Sequence, residues 1–144
     1  MRVLIERVVN AKCEIDGKTY SEIPAGLLVY VAFSSGDNVE KIIKISSKIS
    51  KLRIFDDDNH KLNRSITDIS GSVLLVSSFS LFAELKSGNR PSYSISLPFD
   101  EAKPLFEEMV RSLRTLVPLK TGVFGADMKI HSINDGPVSV IIDY

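Results

Sequence analysis

The stretch that decides the fold is GSVLLVSSFSL, residues Gly71 to Leu81. Val73 to Val76 form an uninterrupted apolar run, which is typical of a strand buried on both faces. At Ser77 the pattern changes, and Ser77, Ser78 and Ser80 place hydroxyls where the buried strand ends. Polar side chains at the end of a rigid strand often form a functional site, although serine is also an ordinary turn former. The stretch therefore predicts a central strand and a candidate site.

Similar apolar runs elsewhere predict the rest of a sheet. The expected strands are Met1 to Val9, a hairpin of Ala11 to Ile15 and Thr19 to Ile23 around Asp16-Gly17, Gly26 to Phe33, Leu52 to Phe55, Met128 to Ile133 and Val138 to Asp143. Lys120 to Asp127, with two glycines, fits a strand or a loop. Asn134 to Pro137 reads as a turn between the last two strands, and its Gly-Pro pair can adopt the cis form.

Two segments change to helical periodicity. In Ser35 to Leu52 apolar residues recur at helical spacing, and Asp37 with Glu40 suggests a capping box at its start. The lysines of this segment at 41, 44 and 48 are interpreted as a solvated face and not as a nucleic-acid patch. A second helix begins at Asp100 and carries an apolar stripe from Ala102 to Leu113. Strands and two helices together indicate a mixed α/β (α+β) chain.

Composition limits the classes of function. The 144 residues fit a single domain, 1–144, and the 18 basic and 18 acidic residues cancel, which disfavours binding of nucleic acid or membranes through bulk charge. For this reason we expect no DNA partner. We also expect no membrane partner, because the longest apolar run, Ala25 to Phe33, is too short to span a bilayer. The single cysteine, Cys13, and the charged residues near the N-terminus predict a cytoplasmic location.

The sequence gives little support for a metal site or for a serine-histidine catalytic triad. The run Asp56-Asp57-Asp58 lacks the spacing of a calcium loop and reads as a turn, so no metal or other cofactor is predicted. The only histidines are His60, in the acidic turn, and His131, in a strand pattern, and neither has a serine-containing nucleophile elbow nearby. A serine-histidine triad is therefore not expected.

Two motifs occur together with the spacing of a known family. SSFSL at 77–81 and NDGPVS at 134–139 resemble the signature motifs of D-aminoacyl-tRNA deacylases, which typically read Ser-Gln-x-Thr-Leu and Asn-x-Gly-Pro-Val-Thr. The similarity extends through ERV at 6–8, IPAGLLV at 23–29, RIF at 53–55, RPS at 90–92 and TGVFGADM at 121–128. The chain closely resembles this family over essentially its whole length.

The resemblance implies a barrel-like β core with two helices packed outside. It implies a homodimer with two sites at the subunit interface, in each of which the 77–81 strand of one subunit faces the Gly136-Pro137 turn of the other. Each site would hydrolyse the ester between a D-amino acid and the 3′-terminal adenosine of tRNA. Carried over by position, the predicted site residues are Ser77, Ser78, Phe79 and Ser80 for catalysis, with Ala102 near the amino acid, Gly136 and Pro137 as the chiral selector, and Arg7 steadying that turn. Activity on glycine mischarged on tRNA-Ala stays open.

The sequence departs from the family pattern at position 78, where Ser replaces the usual Gln, and at 80 and 139, where Ser replaces Thr. Ser80 and Ser139 keep the hydroxyl, whereas Ser78 loses an amide. We expect Ser80 to orient water or substrate while backbone amides near Phe79 and Ser80 stabilise the oxyanion, although a nucleophilic Ser80 stays open. The alternatives are a non-catalytic dimeric module that binds RNA ends or a protein, and a hydrolase of other small acyl esters.

Overall fold

The computed structural model describes residues 1–86 and 88–144. Its elements in chain order are β1 (Arg2–Ile15), β2 (Lys18–Ile23), β3 (Gly26–Ala32), α1 (Val39–Lys51), β4 (Phe55–Asp56), β5 (Leu62–Arg64), β6 (Ser72–Ser77), a 3-10 helix (Phe79–Phe82), α2 (Phe99–Arg114), β7 (Leu119–Thr121) and β8 (Lys129–Asp143).

Strand β1 is the centre of the main sheet. One edge of β1 pairs with β8 along most of its length, and the other edge pairs first with β3 and then with β2, all antiparallel. The sheet continues through parallel pairing of β3 with β6 and of β6 with β7. The hydroxyl of Ser21 in β2 donates to the carbonyl of Thr121 in β7 at 2.8 Å, which brings the two ends of the sheet together. The result is the expected barrel-like core, nearly closed.

Alternate residues of the central strands enter two different cores. Val73 and Leu75 of β6 face the core beneath α1 and α2, whereas Leu74 and Val76 face a second core inside the curved sheet. All four are at most 3% exposed, which confirms the prediction of a strand buried on both faces. Truncating Leu75 to Ala would cost about 2–5 kcal/mol of folding free energy, because the cavity could not fully close.

Close backbone contact explains the glycine at the start of β3. A Cβ atom at Gly26 would collide with the backbone carbonyl of Ser72 on the neighbouring strand. Only glycine lets β3 and β6 begin their parallel pairing at this point. The register set here carries through to Val31 and Ser77, where the strand ends and the candidate site begins.

Four strand predictions were wrong in their extent. The segments Met1 to Val9 and Ala11 to Ile15 are one continuous strand, β1, and the short strand after α1 covers only Phe55–Asp56. The residues after Ser77 form a 3-10 helix and not a strand. The last two predicted strands are likewise one strand, β8, so residues 134 to 137 are not a hairpin turn.

The capping box predicted for α1 was also wrong. The helix begins at Val39, and the side chain of Asn38 accepts a hydrogen bond from the Lys41 amide at 3.0 Å. Asp37 instead has a fully buried carboxylate that binds the Met1 ammonium at 2.8 Å. Two neighbouring residues could both cap a helix by composition, and the long-range partner of Asp37 decides between them.

Candidate active site

A cavity of about 600 Å³ opens where β6 ends. It is lined by residues of β3, the end of β6, the 3-10 helix, the segment before α2, α2 itself and the segment between β7 and β8. The lining residues are Val31, Ala32, Phe33, Ser77, Ser78, Phe79, Ser80, Tyr93, Ser96, Leu97, Pro98, Phe99, Ala102, Phe124, Gly125, Ala126 and Met128. A cavity of this size suits a ligand as large as an aminoacylated nucleoside.

The predicted catalytic residues stand together on the cavity wall. The hydroxyls of Ser78 and Ser80 lie 2.9 Å apart and share a hydrogen bond. The Ser78 amide donates to the carbonyl of Val31 at 2.8 Å, which ties the start of the 3-10 helix to β3. Phe79 is 60% exposed, so its ring presents a free apolar surface at the cavity.

The backbone of the 3-10 helix leaves two amide donors available. The amides of Leu81 and Ala83 donate to the carbonyls of Ser78 and Ser80. Within residues 1–86 and 88–144, the amides of Phe79 and Ser80 make no such hydrogen bond. Two adjacent free amides beside a pair of hydroxyls form a group of donors that can stabilise negative charge on an oxygen atom.

The cavity wall is apolar and almost free of ionisable groups. Among the described residues that line it, none carries a carboxylate, an imidazole, an ammonium or a guanidinium group. A serine nucleophile needs a neighbouring base, and this wall does not provide one. Across the described ranges, no cluster of His, Cys, Asp and Glu is placed to hold a metal ion.

The sequence analysis did not predict Tyr93, Phe99 and Phe124, three aromatic residues of the cavity wall. Phe79 and Tyr93 meet edge to face with their ring centroids 4.9 Å apart, and Phe99 and Phe124 meet in the same way at 5.0 Å. Ala102, which was predicted, lies on α2 and lines the cavity with 7% exposure. The other aromatic residues belong to loops or to the start of α2, and their chain segments meet only in the folded structure. Aromatic residues outside the confidently predicted strands and helices were the one signal that the sequence offered.

The second motif forms a bulge in β8 that we call the excursion, residues 135 to 138. On either side of it, Asn134 pairs with Val8 and Ser139 pairs with Glu6, whereas residues 135 to 138 have no partner on β1. The Gly136-Pro137 peptide bond is cis. Gly136 has φ +124°, a conformation that favours glycine.

Arg7 holds the excursion from β1. Its Nε atom donates to the Asp135 carbonyl at 3.1 Å and lies 3.1 Å from the Asp135 carboxylate. Its Nη1 atom donates to the Ile54 carbonyl at 2.9 Å and lies 3.3 Å from Asp56. Arg7 is only 6% exposed, so the guanidinium is buried with its Nε and Nη1 donors occupied.

Asn134 braces the other side of the excursion. Its side-chain oxygen accepts a hydrogen bond from the Val138 amide at 3.2 Å, and its Nδ2 atom donates to Glu6 and Ser139 at 3.3 Å each. Burial raises the pKa of nearby Tyr30, and the Glu6 carboxylate acts in the same direction. The Tyr30 hydroxyl therefore stays protonated at neutral pH. The excursion is fixed at both of its ends.

The structure places the predicted site residues in two separate groups. Ser77, Ser78, Phe79, Ser80 and Ala102 line one cavity. Arg7, Gly136 and Pro137 do not line that cavity, and both residues of the Gly-Pro pair are exposed on the single chain. Within one copy, the excursion and the serine cluster are not parts of one site.

A family model described as D-Tyr-tRNA(Tyr) deacylase matches residues 4–143. The chain belongs to this family. Proteins named D-aminoacyl-tRNA deacylase are similar to it over nearly their whole length. One from Thermosipho africanus is 47% identical and one from Flavobacterium psychrophilum is 48% identical, each match covering 99% of this chain and 97% of the relative.

Solved structures share the fold of this chain. A chain described as c-Myc DNA Unwinding Element Binding Protein superposes with a TM-score of 0.94 at 30% identity, covering 100% of this chain and 99% of that one. A probable eukaryotic D-amino acid tRNA deacylase superposes with a TM-score of 0.86 at 16% identity over 99% and 98% of the two chains, which shows the shared fold. Among the described residues, no helix is both long and apolar enough to cross a membrane.

Proposed function

We propose that the ester bond of D-aminoacyl-tRNA is hydrolysed in the cavity beside Ser77 to Ser80, and that a second copy of the chain completes the site with its excursion. As a member of the deacylase family, the chain is a hydrolase of the ester between a D-amino acid and the 3′-terminal adenosine of tRNA. The observation that carries the proposed location is the pair of free amides at Phe79 and Ser80 on the wall of a large apolar cavity.

The wall supports hydrolysis by positioned water. An aminoacyl ester is already reactive, so the protein needs to hold the ester and water in a suitable geometry and to stabilise the oxyanion. The amides of Phe79 and Ser80 supply the oxyanion donors. The Ser80 hydroxyl, held by Ser78 at 2.9 Å, orients the water or the ester carbonyl. The ribose hydroxyl next to the ester lies within the substrate itself and can take part in proton transfer.

Exposure of the excursion supports a homodimer. Gly136 and Pro137 are braced by Arg7 and Asn134 yet exposed on the single chain, so a rigid backbone feature stands on the surface. Large apolar side chains nearby on β1 and β8 are also exposed: Val9 at 49%, Ile133 at 56% and Ile141 at 64%. Pairing of two copies would cover this apolar face and bring the excursion to the partner's cavity.

The excursion would select the handedness of the substrate by obstruction. A site that accepts many D-side chains cannot recognise one side chain, so it must exclude the L-arrangement at the α-carbon. A rigid backbone held by a buried arginine suits this task. Glycine has no side chain to exclude, so glycine mischarged on tRNA-Ala is expected to be a substrate.

Paired substrates test the proposed function. The purified protein should hydrolyse D-tyrosyl-tRNA and leave L-tyrosyl-tRNA intact, and replacing the D-side chain should matter much less than inverting the α-carbon. Gly136→Ala should reduce hydrolysis of the D-ester, because a Cβ atom there would lie 2.8 Å from the Val138 side chain and 3.1 Å from Arg7. Equal hydrolysis of the D- and L-esters would refute selection by the excursion.

The same assay separates the alternatives. A non-catalytic module would leave both esters intact, and a general acyl esterase would cleave small esters as fast as aminoacyl-tRNA. The non-catalytic module is not favoured, because relatives with 41% to 48% identity carry the deacylase name.

A further inference from the structure

A basic cleft of about 430 Å³ lies at the C-terminal end of α1. We call it the α1 cleft, and it is lined by Lys44, Ser47, Lys48, Lys51, Leu52 and Arg53. Four of these six lining residues are cations, and none is an anion. The chain as a whole has a formal net charge of zero, so this cluster is a local departure from an otherwise balanced composition.

Most of the positive charge in the α1 cleft is available to a ligand. Lys44 pairs with Glu40 at 2.6 Å, so its charge is partly neutralised within the helix. Lys48, Lys51 and Arg53 are exposed and form no ion pair with any described residue. The Nε atom of Arg53 donates to the Asn63 carbonyl at 2.7 Å, which fixes the guanidinium and leaves its other donors free. A fixed guanidinium beside flexible ammonium groups suits phosphate oxygens.

The α1 cleft is joined to the excursion through a short chain of contacts. Arg53 is followed by Ile54, and the Ile54 carbonyl accepts a hydrogen bond from Arg7 at 2.9 Å. The same Arg7 side chain holds Asp135, the first residue of the excursion. The α1 cleft and the excursion therefore belong to connected segments of the same copy, so one extended polyanion could contact both.

We propose that the α1 cleft binds backbone phosphates of the tRNA acceptor stem while the excursion meets the aminoacyl end in the partner's cavity. The inference rests on the proposed function, because it assumes that the excursion forms part of the site. The substrate of the family is a polyanion, and sequence-independent contacts to its phosphates position it without reading bases. Two or three free cations neutralise few phosphates, in keeping with a chain of zero net charge.

Two double variants, each of which removes two positive charges, test the proposal. The cleft variant is Lys48→Gln/Lys51→Gln, and the matched control is Lys18→Gln/Lys120→Gln, which removes the same charge at exposed positions outside the cleft. Steady-state hydrolysis of D-tyrosyl-tRNA is measured as a function of salt. For the cleft variant we expect KM to rise on the order of tenfold at about 0.1 M salt, with kcat unchanged. The slope of log kcat/KM against log salt concentration should become shallower by about two, one for each lost phosphate contact.

The control variant should keep the KM and the salt slope of the unmutated protein. A cleft variant with unchanged KM and slope overturns the proposal, and so does a control that loses as much as the cleft variant, since that indicates diffuse charge. Binding of deacylated tRNA, measured by fluorescence, distinguishes a failure of the cleft proposal from a failure of the proposed function. If the unmutated protein binds tRNA through the cleft but hydrolyses neither ester, the proposed function fails and the cleft stands.

Discussion

The pair of hydroxyls at Ser78 and Ser80 is the smallest unit of the proposed mechanism. The two oxygen atoms share one hydrogen bond at 2.9 Å, so the orientation of either hydroxyl depends on the other. Ser78 stands where the family usually has Gln. Its short side chain still reaches Ser80, which gives this chain its own way to orient the second hydroxyl.

Single and double alanine variants test this coupling. Ser80→Ala should lower kcat about tenfold without abolishing activity, which corresponds to the loss of one hydrogen bond. Ser78→Ala/Ser80→Ala should be no slower than Ser80→Ala, because the two residues act as a unit. Single-turnover hydrolysis of D-tyrosyl-tRNA measures the effects. Effects that multiply in the double variant, or capture of an aminoacyl group on Ser80, would contradict an orienting role.

Ser46 is a residue whose replacement should stabilise the protein. Its hydroxyl is fully buried in α1 and has no hydrogen-bond partner in the described part of the chain. Ser46→Ala should raise the free energy of unfolding by about 0.5–1 kcal/mol, because alanine removes the desolvated hydroxyl and favours the helix. Urea unfolding followed by circular dichroism measures the change.

Ser50 provides the matched control for this variant. It is also buried in α1, but its hydroxyl donates to the Ser47 carbonyl at 3.0 Å. Ser50→Ala gains the same helix propensity and loses a hydrogen bond, so it should be less stable than Ser46→Ala by about 0.5–1.5 kcal/mol. Equal effects at the two positions would show that the missing partner of Ser46 is irrelevant.

At the level of elements, the start of α1 shows where sequence patterns reach their limit. Asp37 and Asn38 are adjacent, and either could cap the helix. The apolar spacing that predicted α1 is a local property, whereas the choice of cap depends on the Met1 ammonium at the start of β1, which Asp37 binds across 36 positions of sequence. Such a choice cannot be made from a local pattern.

The cap assignment is directly testable. Asn38→Ala should lower the free energy of unfolding by about 1 kcal/mol, because the Lys41 amide loses its acceptor. Glu40→Gln should change the free energy of unfolding much less, because the pair with Lys44 that it removes is exposed to solvent. Chemical unfolding of both variants separates the two capping schemes. A larger loss for Glu40→Gln would favour the capping box.

Strand β8 was the least predictable element. Composition marked residues 134 to 137 as a turn, and a Gly-Pro pair normally ends a strand. In the structure the chain leaves β1 for the four residues 135 to 138 and then resumes the same pairing. The pairing of β8 with β1, not the local sequence, keeps the strand continuous. The apolar runs of β3 and β6 were predictable because burial on both faces leaves a direct signature.

For the whole molecule, the main prediction is complementation between copies. Ser80→Trp should obstruct the cavity, and Gly136→Ala should distort the excursion, so each homodimer should be impaired. Mixing the two variants with exchange of subunits should give heterodimers in which one of the two sites has both parts intact. With random exchange, activity should recover to about one quarter of that of the unmutated protein.

Hydrolysis of D-tyrosyl-tRNA before and after subunit exchange measures this recovery. Neither variant alone should recover under the same treatment, which serves as the control. A mixture no more active than the mean of its components would show that the excursion and the cavity do not act across two copies. Light scattering that shows an active monomer would lead to the same conclusion.

The whole cavity was only partly predictable. Ser77 to Ser80 were identified because one strand end carries them in sequence, and Ala102 came from the family resemblance. Tyr93, Phe99 and Phe124 come from separate segments whose meeting depends on the closure of the sheet and the packing of α2. The separation of the serine cluster from the excursion within one chain is likewise a property of the tertiary structure.

The way in which the excursion is anchored in β8 predicts how discrimination between D- and L-substrates responds to heating. Both flanks of the excursion are paired with β1, the central strand, and Arg7 fastens it to the segment that follows α1. The excursion therefore has no hinge of its own, and displacing it requires opening of the main sheet, which belongs to the most protected class of motions. Rejection of L-amino acids should then persist until the protein melts and be lost together with the fold.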